Sequence, residues 1–263
     1  MSSLADLLPP AWASHGRAVH LGDPATRRGS GLLVPASRLV EHLPLLLDAM
    51  RQHYAGDDAR ALLSQWCKYY FSLVIPPAVA VAQHLRRPLH MALEASYLLL
   101  RDGMPQALWL PADAVGEACD DPALRYRSLC LEHLAPQIEA LAAAVRIAPR
   151  VLWSNVGHTL EYALFTMEGS TDAGHAGPDQ AFLFERQVFF DSGLPNPLLH
   201  VIRYVKPPSP ALPDPLRVRR VCCLRYLLPG EEMLCSSCPL FLKLPEPAIA
   251  EQMRLVRLAH ECS

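Results

Sequence analysis

Residues 222 to 238, CCLRYLLPGEEMLCSSC, hold four of the chain's eight cysteines: an adjacent pair, then a Cys-x-x-Cys. Thiolates this close together suit a tetrahedral zinc ion or an iron–sulfur cluster. The other four, Cys67, Cys119, Cys130 and Cys262, are scattered and read as ordinary buried or terminal thiols. A four-cysteine structural zinc site usually combines two Cys-x-x-Cys knuckles, and here only Cys235 and Cys238 make one. Adjacent side chains diverge in an extended strand, so Cys222 and Cys223 can share a site only where the backbone bends. A two-iron cluster is a larger target, with two ligands at each iron. Spacing alone leaves cluster, zinc and no metal open, in that order.

The whole chain sets limits on this chemistry. Its 263 residues are enough for one large domain, or a large one and a small one. The composition is apolar, 51% hydrophobic with a mean hydropathy of +0.12. The most apolar stretch, 69–82, is too short to span a bilayer and is interrupted by Pro76 and Pro77. The start, MSSLADLLPPAW, lacks the basic and apolar regions of a signal peptide. A cytoplasmic protein without a transmembrane segment is expected, with room for peripheral contact at the inner face of the cytoplasmic membrane. Thiols there stay reduced, which favours metal or redox chemistry over disulfides. A net charge of −2 gives no basic field for nucleic acid. No Gly-x-Gly-x-x-Gly follows a strand, so a nicotinamide- or flavin-dinucleotide domain is not expected.

The elements that would position the cysteines are mostly helical. Residues 1–35 are broken by Gly and Pro and read as irregular. Helical spacing runs from Ser37 to Tyr54, and Asp57 and Asp58 look like a cap for a helix ending before Pro76–Pro77, where a further helix would start. The period changes over 92–110, which reads as a β-hairpin turning at Asp102-Gly103. Asp121-Pro122 opens a long helical region with a kink or break at Pro136, and Pro149 opens another helix, closed by Gly169. A loop over 170–179 and a short helix ending near Gly193 follow. The proline-rich 195–215 reads as a linker or irregular wrap, and 246–260 as a last helix. The expected fold class is α+β, mostly helical with a small antiparallel sheet. Residues 1–215 form the body, and 216–263 a C-terminal cysteine-rich lobe with the final helix.

The segment from Arg219 to Tyr226, RRVCCLRY, with the downstream Cys235-x-x-Cys238, resembles the C-terminal signature of the ferric-siderophore reductase family, the FhuF-like proteins. Trp153-Ser154-Asn155 resembles a second, weaker family stretch. The eleven residues between Cys223 and Cys235 are one more than in the family's pattern, an insertion that falls in a Pro-Gly turn. The resemblance implies one [2Fe–2S] cluster held by Cys222, Cys223, Cys235 and Cys238. It implies one-electron reduction of Fe(III) in an imported siderophore of hydroxamate type, with Fe(II) released in the cytoplasm. A ferredoxin- or flavodoxin-like partner would recharge the cluster.

Oxygen donors of a siderophore grip ferric iron far better than ferrous iron, so a single electron serves as the release switch. Arg219, Arg220 and Arg225 are placed to stabilise the reduced, more negative cluster. Trp153, Asn155 and His158 are candidates for a substrate groove. The ligand loop 224–238 is expected at the surface beside a groove walled by the 150–162 helix, with Arg225 and Trp153 facing it. The alternative is a zinc- or cluster-stapled protein that senses iron or redox state without turnover. Siderophore synthetases that join amines to citrate have a domain resembling this family. They need ATP-binding residues and a longer chain, and do not need clustered cysteines.

Overall fold

The computed structural model describes residues 2–26, 30–168 and 176–261. Its helices in chain order are α1 (Ala13–Gly16), α2 (Leu43–Arg51), α3 (Ala59–Ala80), α4 (Pro122–Arg127), α5 (Ala135–Val145), α6 (Pro149–Glu168), α7 (Ala176–Phe184) and α8 (Glu246–Glu261). The strands are β1 (Ser2–Ser3), β2 (Val19–Leu21), β3 (Leu32–Pro35), β4 (Tyr97–Arg101), β5 (Met104–Leu110), β6 (Ile202–Val205) and β7 (Leu216–Arg219). The first five form one sheet in the order β1-β2-β5-β4-β3, antiparallel except for the β2–β5 pair.

The hairpin forms where the change of period predicts it, though 93–95 is a single 3-10 turn rather than strand. Asp102 (φ 51°) and Gly103 (φ 77°) both take the left-handed conformation of a tight primed turn. A Cβ on Gly103 would lie 2.5 Å from the Leu45 carbonyl oxygen, so only glycine fits there. Residues 1–35 are not all irregular: they supply β1, β2 and β3. Strands of two to four residues between glycine and proline breaks carry too little alternation to show a period.

Helix α3 is the central strut. Asp58 caps it by accepting from the Arg60 and Ala61 amides. The break expected at Pro76–Pro77 is absent, for the helix runs through both prolines to Ala80 and ends in a π turn over Val81–Leu85. The two missing amide donors fall where Ser72 is exposed and Leu73 half-buried, so the freed carbonyls lie toward the solvent side, while Val74, Ile75 and 77–82 stay in the core. The irregularity before Pro136 is a π segment, Ser128–Leu134, joining α4 to α5. Helix α3 packs chiefly on α6, with α2 and β5 against its other sides, which gives a layered sheet–α3–α6 body.

The helix predicted to reach Gly193 stops at Phe184. Phe190 (φ 52°) is left-handed, and Phe189 and Phe190 turn inward to pack edge-on against each other. Gly169, the expected helix stop, and 170–175 of the expected loop lie outside the described residues, as does Cys262, while 176–179 of that loop already belong to α7. The proline-rich stretch contains β6, which pairs with β7 across the division drawn at 215/216. Beneath that two-stranded sheet a second, small core gathers Leu212, Leu216, Val218, Cys238, Phe241 and Ile249.

Candidate metal centre

Strand β7 delivers the chain to the cysteines, and the bend that adjacent cysteines require comes directly after them. Leu224 is left-handed (φ 64°) and a 3-10 turn follows over Arg225–Leu227. The Cys238 amide donates to the Cys235 carbonyl at 2.8 Å, closing the knuckle. The four thiols form a ring in the order 222, 223, 235, 238, each within hydrogen-bonding reach of its neighbours, with 3.8 Å between the sulfurs of Cys223 and Cys235. Cys223 and Cys238 are buried, and Cys222 and Cys235 half-buried. Hydrogen bonds from the Cys222 and Cys235 thiols, aided by Arg219, hold Cys223 well below the usual thiol range, while Cys222 and, across the ring, Cys238 are pushed up. A ring of four thiols can supply the two pairs of ligands that two irons take.

The charge balance also fits an anionic group. Arg219 is 2% exposed, and no carboxylate pairs with it among the described residues. One guanidinium nitrogen donates to the Cys235 sulfur at 3.2 Å and another to Asn155 Oδ1 at 2.7 Å. A buried cation of this kind is costly unless something anionic faces it, and the cysteine sulfurs are what face it.

The body holds the ligand loop by its backbone. Ser64 Oγ and Gln65 Nε2, both on α3, donate to the Cys223 carbonyl at 2.8 and 2.9 Å. Ser154 Oγ on α6 donates to the Val221 carbonyl at 2.7 Å, and the Asn155 amide donates to Ser64. From the far side, Gln252 of α8 accepts from the Leu234 amide and donates to the Glu232 carbonyl.

The structure separates the sequence candidates. Residues 153 and 155 are two apart on a helix, about 200° around its axis, so they face opposite ways. Trp153 lines a groove of about 930 Å³. Asn155 instead turns to Arg219, and His158 to the lobe, where its Nδ1 accepts from Arg217 and from Ser237 Oγ. Burial, with Arg219 and Arg217 nearby, pushes His158 down to about 3, so its ring is neutral. Arg225 does not reach the groove. It pairs with Glu231 at 2.5 Å, donates to the Met233 carbonyl, and with Tyr226 covers the outer side of the sulfur ring. Arg220 is exposed and lines the groove together with Cys222. Sequence reasoning missed Ser64, Gln65 and Arg217. Ser64 and Gln65, two polar residues inside the apolar run ALLSQWC, carried a faint signal; Arg217 carried none.

The chain's similarities agree with this site. The family described as "Ferric iron reductase FhuF-like transporter" matches residues 64–207, and the "FhuF 2Fe-2S C-terminal domain" matches 219–240. The ferric siderophore reductase of Escherichia coli K12 is 27% identical over 192 residues, covering 70% of this chain and 67% of that protein. Among solved structures, aerobactin synthetase IucC of Klebsiella pneumoniae is 13% identical with a TM-score of 0.51, which shows a shared fold. That match covers 67% of this chain and only 37% of the synthetase. Aerobactin synthetase IucA with ATP bound is 14% identical, with a TM-score of 0.49, over 61% of this chain and 34% of its own. The chain belongs to the FhuF-like ferric iron reductases, a family of oxidoreductases, and carries that family's C-terminal [2Fe–2S] domain.

Proposed function

We propose that this chain reduces Fe(III) in a siderophore of hydroxamate type by one electron and releases Fe(II) on the cytoplasmic side. Cys222, Cys223, Cys235 and Cys238 hold the cluster in a lobe that starts near β6, and a ferredoxin- or flavodoxin-like protein supplies the electron. One observation carries the reading: Cys222 belongs to the sulfur ring and also borders the groove that Trp153 lines. A chelate seated there lies against a ligand of the redox centre, and electron transfer falls off steeply with distance.

A four-thiolate [2Fe–2S] cluster supplies single electrons at low potential. The chain's own residues do the rest. Arg219 hydrogen-bonds the Cys235 sulfur, which stabilises added negative charge and raises the potential. Trp153 and Phe189, both largely buried and in edge contact with centroids 5.4 Å apart, form an apolar floor of the groove on which the chelate's carbon skeleton would rest. Among the described residues no helix is long and apolar enough to cross a membrane.

The test is a single turnover. Anaerobically reduced, cluster-loaded protein is mixed with a ferric trishydroxamate and a ferrous-specific chelator. Reappearance of the oxidised cluster's visible absorption together with trapped Fe(II), one iron per cluster, supports the proposal. Protein that purifies with zinc and shows no visible absorption, or a reduced cluster indifferent to the chelate, supports the sensing alternative instead.

A further inference from the structure

Two arginines from different elements border the groove, Arg150 in the first turn of α6 and Arg220 two residues before Cys222. Both side chains are exposed, and neither is tied to a carboxylate among the described residues. Among the described residues Glu139, on the α5 wall, is the one carboxylate in the lining, so those residues give the groove an excess of one positive charge. Beyond Cys222, four thiolates holding a cluster would set up the opposite field, stronger on reduction. That field repels an anionic chelate, and the two arginines stand where they counter it. A neutral chelate gains little from them, and a cationic one is repelled.

We infer that the groove selects ferric hydroxamate chelates that carry free carboxylates, and that Arg150 and Arg220 bind those carboxylates. The inference rests on the reductase reading and adds the charge class of its substrate. A volume of about 930 Å³ accommodates a chelate of that size. Trp153 and Phe189 take the carbon skeleton while the arginines take the carboxylates. The redox step balances with one electron. With a cluster held by the four cysteines, one electron would pass from a ferredoxin-like donor, which is oxidised, to Fe(III) in the chelate, which becomes Fe(II). No proton or leaving group moves in that step, and the weakened hydroxamate ligands take protons from water once iron departs.

The test uses three ferric chelates of one linear trishydroxamate, its terminal amine left free, acetylated or succinylated, so that only the tail and its charge change. Reoxidation of the reduced, cluster-loaded protein is followed against chelate concentration. The succinylated chelate should half-saturate at roughly tenfold lower concentration than the amine form at low ionic strength, and the gap should close near 0.5 M salt. Arg150→Gln and Arg220→Gln should each shrink the ratio with the visible spectrum unchanged, and Arg150, remote from the cysteines in sequence, guards against an effect on the cluster itself. Equal half-saturation for all three chelates, or a ratio untouched by both variants, overturns the inference and leaves the reductase reading standing. Binding to the oxidised protein is read in parallel by tryptophan fluorescence. Charge selection is thereby seen even where no chelate reoxidises the cluster, an outcome that sinks the reductase reading alone. A ferric tris-catecholate that binds more tightly than the succinylated hydroxamate overturns the carboxylate assignment.

Discussion

In α3, fifteen of twenty-two residues are buried, and most of them touch other apolar side chains. The cysteine lobe has six buried apolar residues in its own core, short strands and 3-10 turns. Leu228, Val221 and Leu224 pack on the body's core, and the other connections are polar: Arg219 to Asn155, Ser64 and Gln65 to the Cys223 carbonyl, Ser154 to the Val221 carbonyl. The body gains stability in proportion to apolar area, at about 1.5–3 kcal/mol for each large side chain fully buried. The lobe cannot, because its core is too small. Its order depends on a few directed bonds and on metal binding, which is folding energy for a site of this kind.

The largest expected effect falls on the lobe. Cys235→Ser should abolish turnover and the cluster's visible absorption. Limited proteolysis should then cut between 216 and 245 while far-ultraviolet circular dichroism keeps the body's helical signal. Loss of both together would show that the two regions fold as one unit. The reverse experiment is Trp66→Ala, which empties a fully buried site in α3 and removes the indole's hydrogen bond to the Gly103 carbonyl. It should cost about 3–5 kcal/mol in denaturant titration and leave the spectrum of the remaining folded protein unchanged.

Arg219→Gln should cost less, about 2–4 kcal/mol, with a signature that a packing defect lacks. Redox titration should show a lower midpoint potential, because a cation and a hydrogen bond to sulfur are gone. A pH dependence separates the body further. His133 is fully buried, with Nδ1 bonded to the Met91 carbonyl and Nε2 to Tyr70, and burial pushes it down to about 4. The folded state therefore binds this proton less readily than the unfolded chain. Its contribution is complete above the unfolded value of about 6.5 and is lost as pH falls towards 4, up to roughly 3 kcal/mol. His133→Gln should flatten that part of the stability–pH curve. The smallest effect on the site is expected of Trp153→Ala, a rise of about tenfold or less in half-saturating chelate with the visible spectrum intact, measured on the protein that stays folded because Trp153 is itself a buried core residue.

The sequence announced most clearly what depends on residue type at close range. The four cysteines, the Asp58 cap, the Asp102-Gly103 turn and the helices opened by Pro122 and Pro149 are local chemistry, and all take the local form expected. The sheet's other strands were hidden because Ser2–Ser3 and Val19–Leu21 are too short to show alternation and depend on distant partners. Pro76–Pro77 misled because tertiary packing carried α3 through a local break. At the site, Trp153 reached the groove while Asn155 and His158 did not, a difference that helical phase alone could have revealed. Arg150 and Phe189 reach the groove only through the chain's path in space.

Three consecutive residues of α3 have a mechanical consequence. Ser64 and Gln65 grip the cysteine loop, and Trp66 bonds the turn of the hairpin. One turn of one helix thus fastens the redox lobe and the five-stranded sheet to the same rigid rod, leaving the lobe no hinge on which to swing. On the proposed docking, the gap an electron would tunnel across, from the Cys222 sulfur to a chelate beside Trp153, is consequently set by a fixed frame. Turnover should then be limited by arrival of the donor or departure of the iron, and solvent viscosity should leave the transfer step itself unchanged.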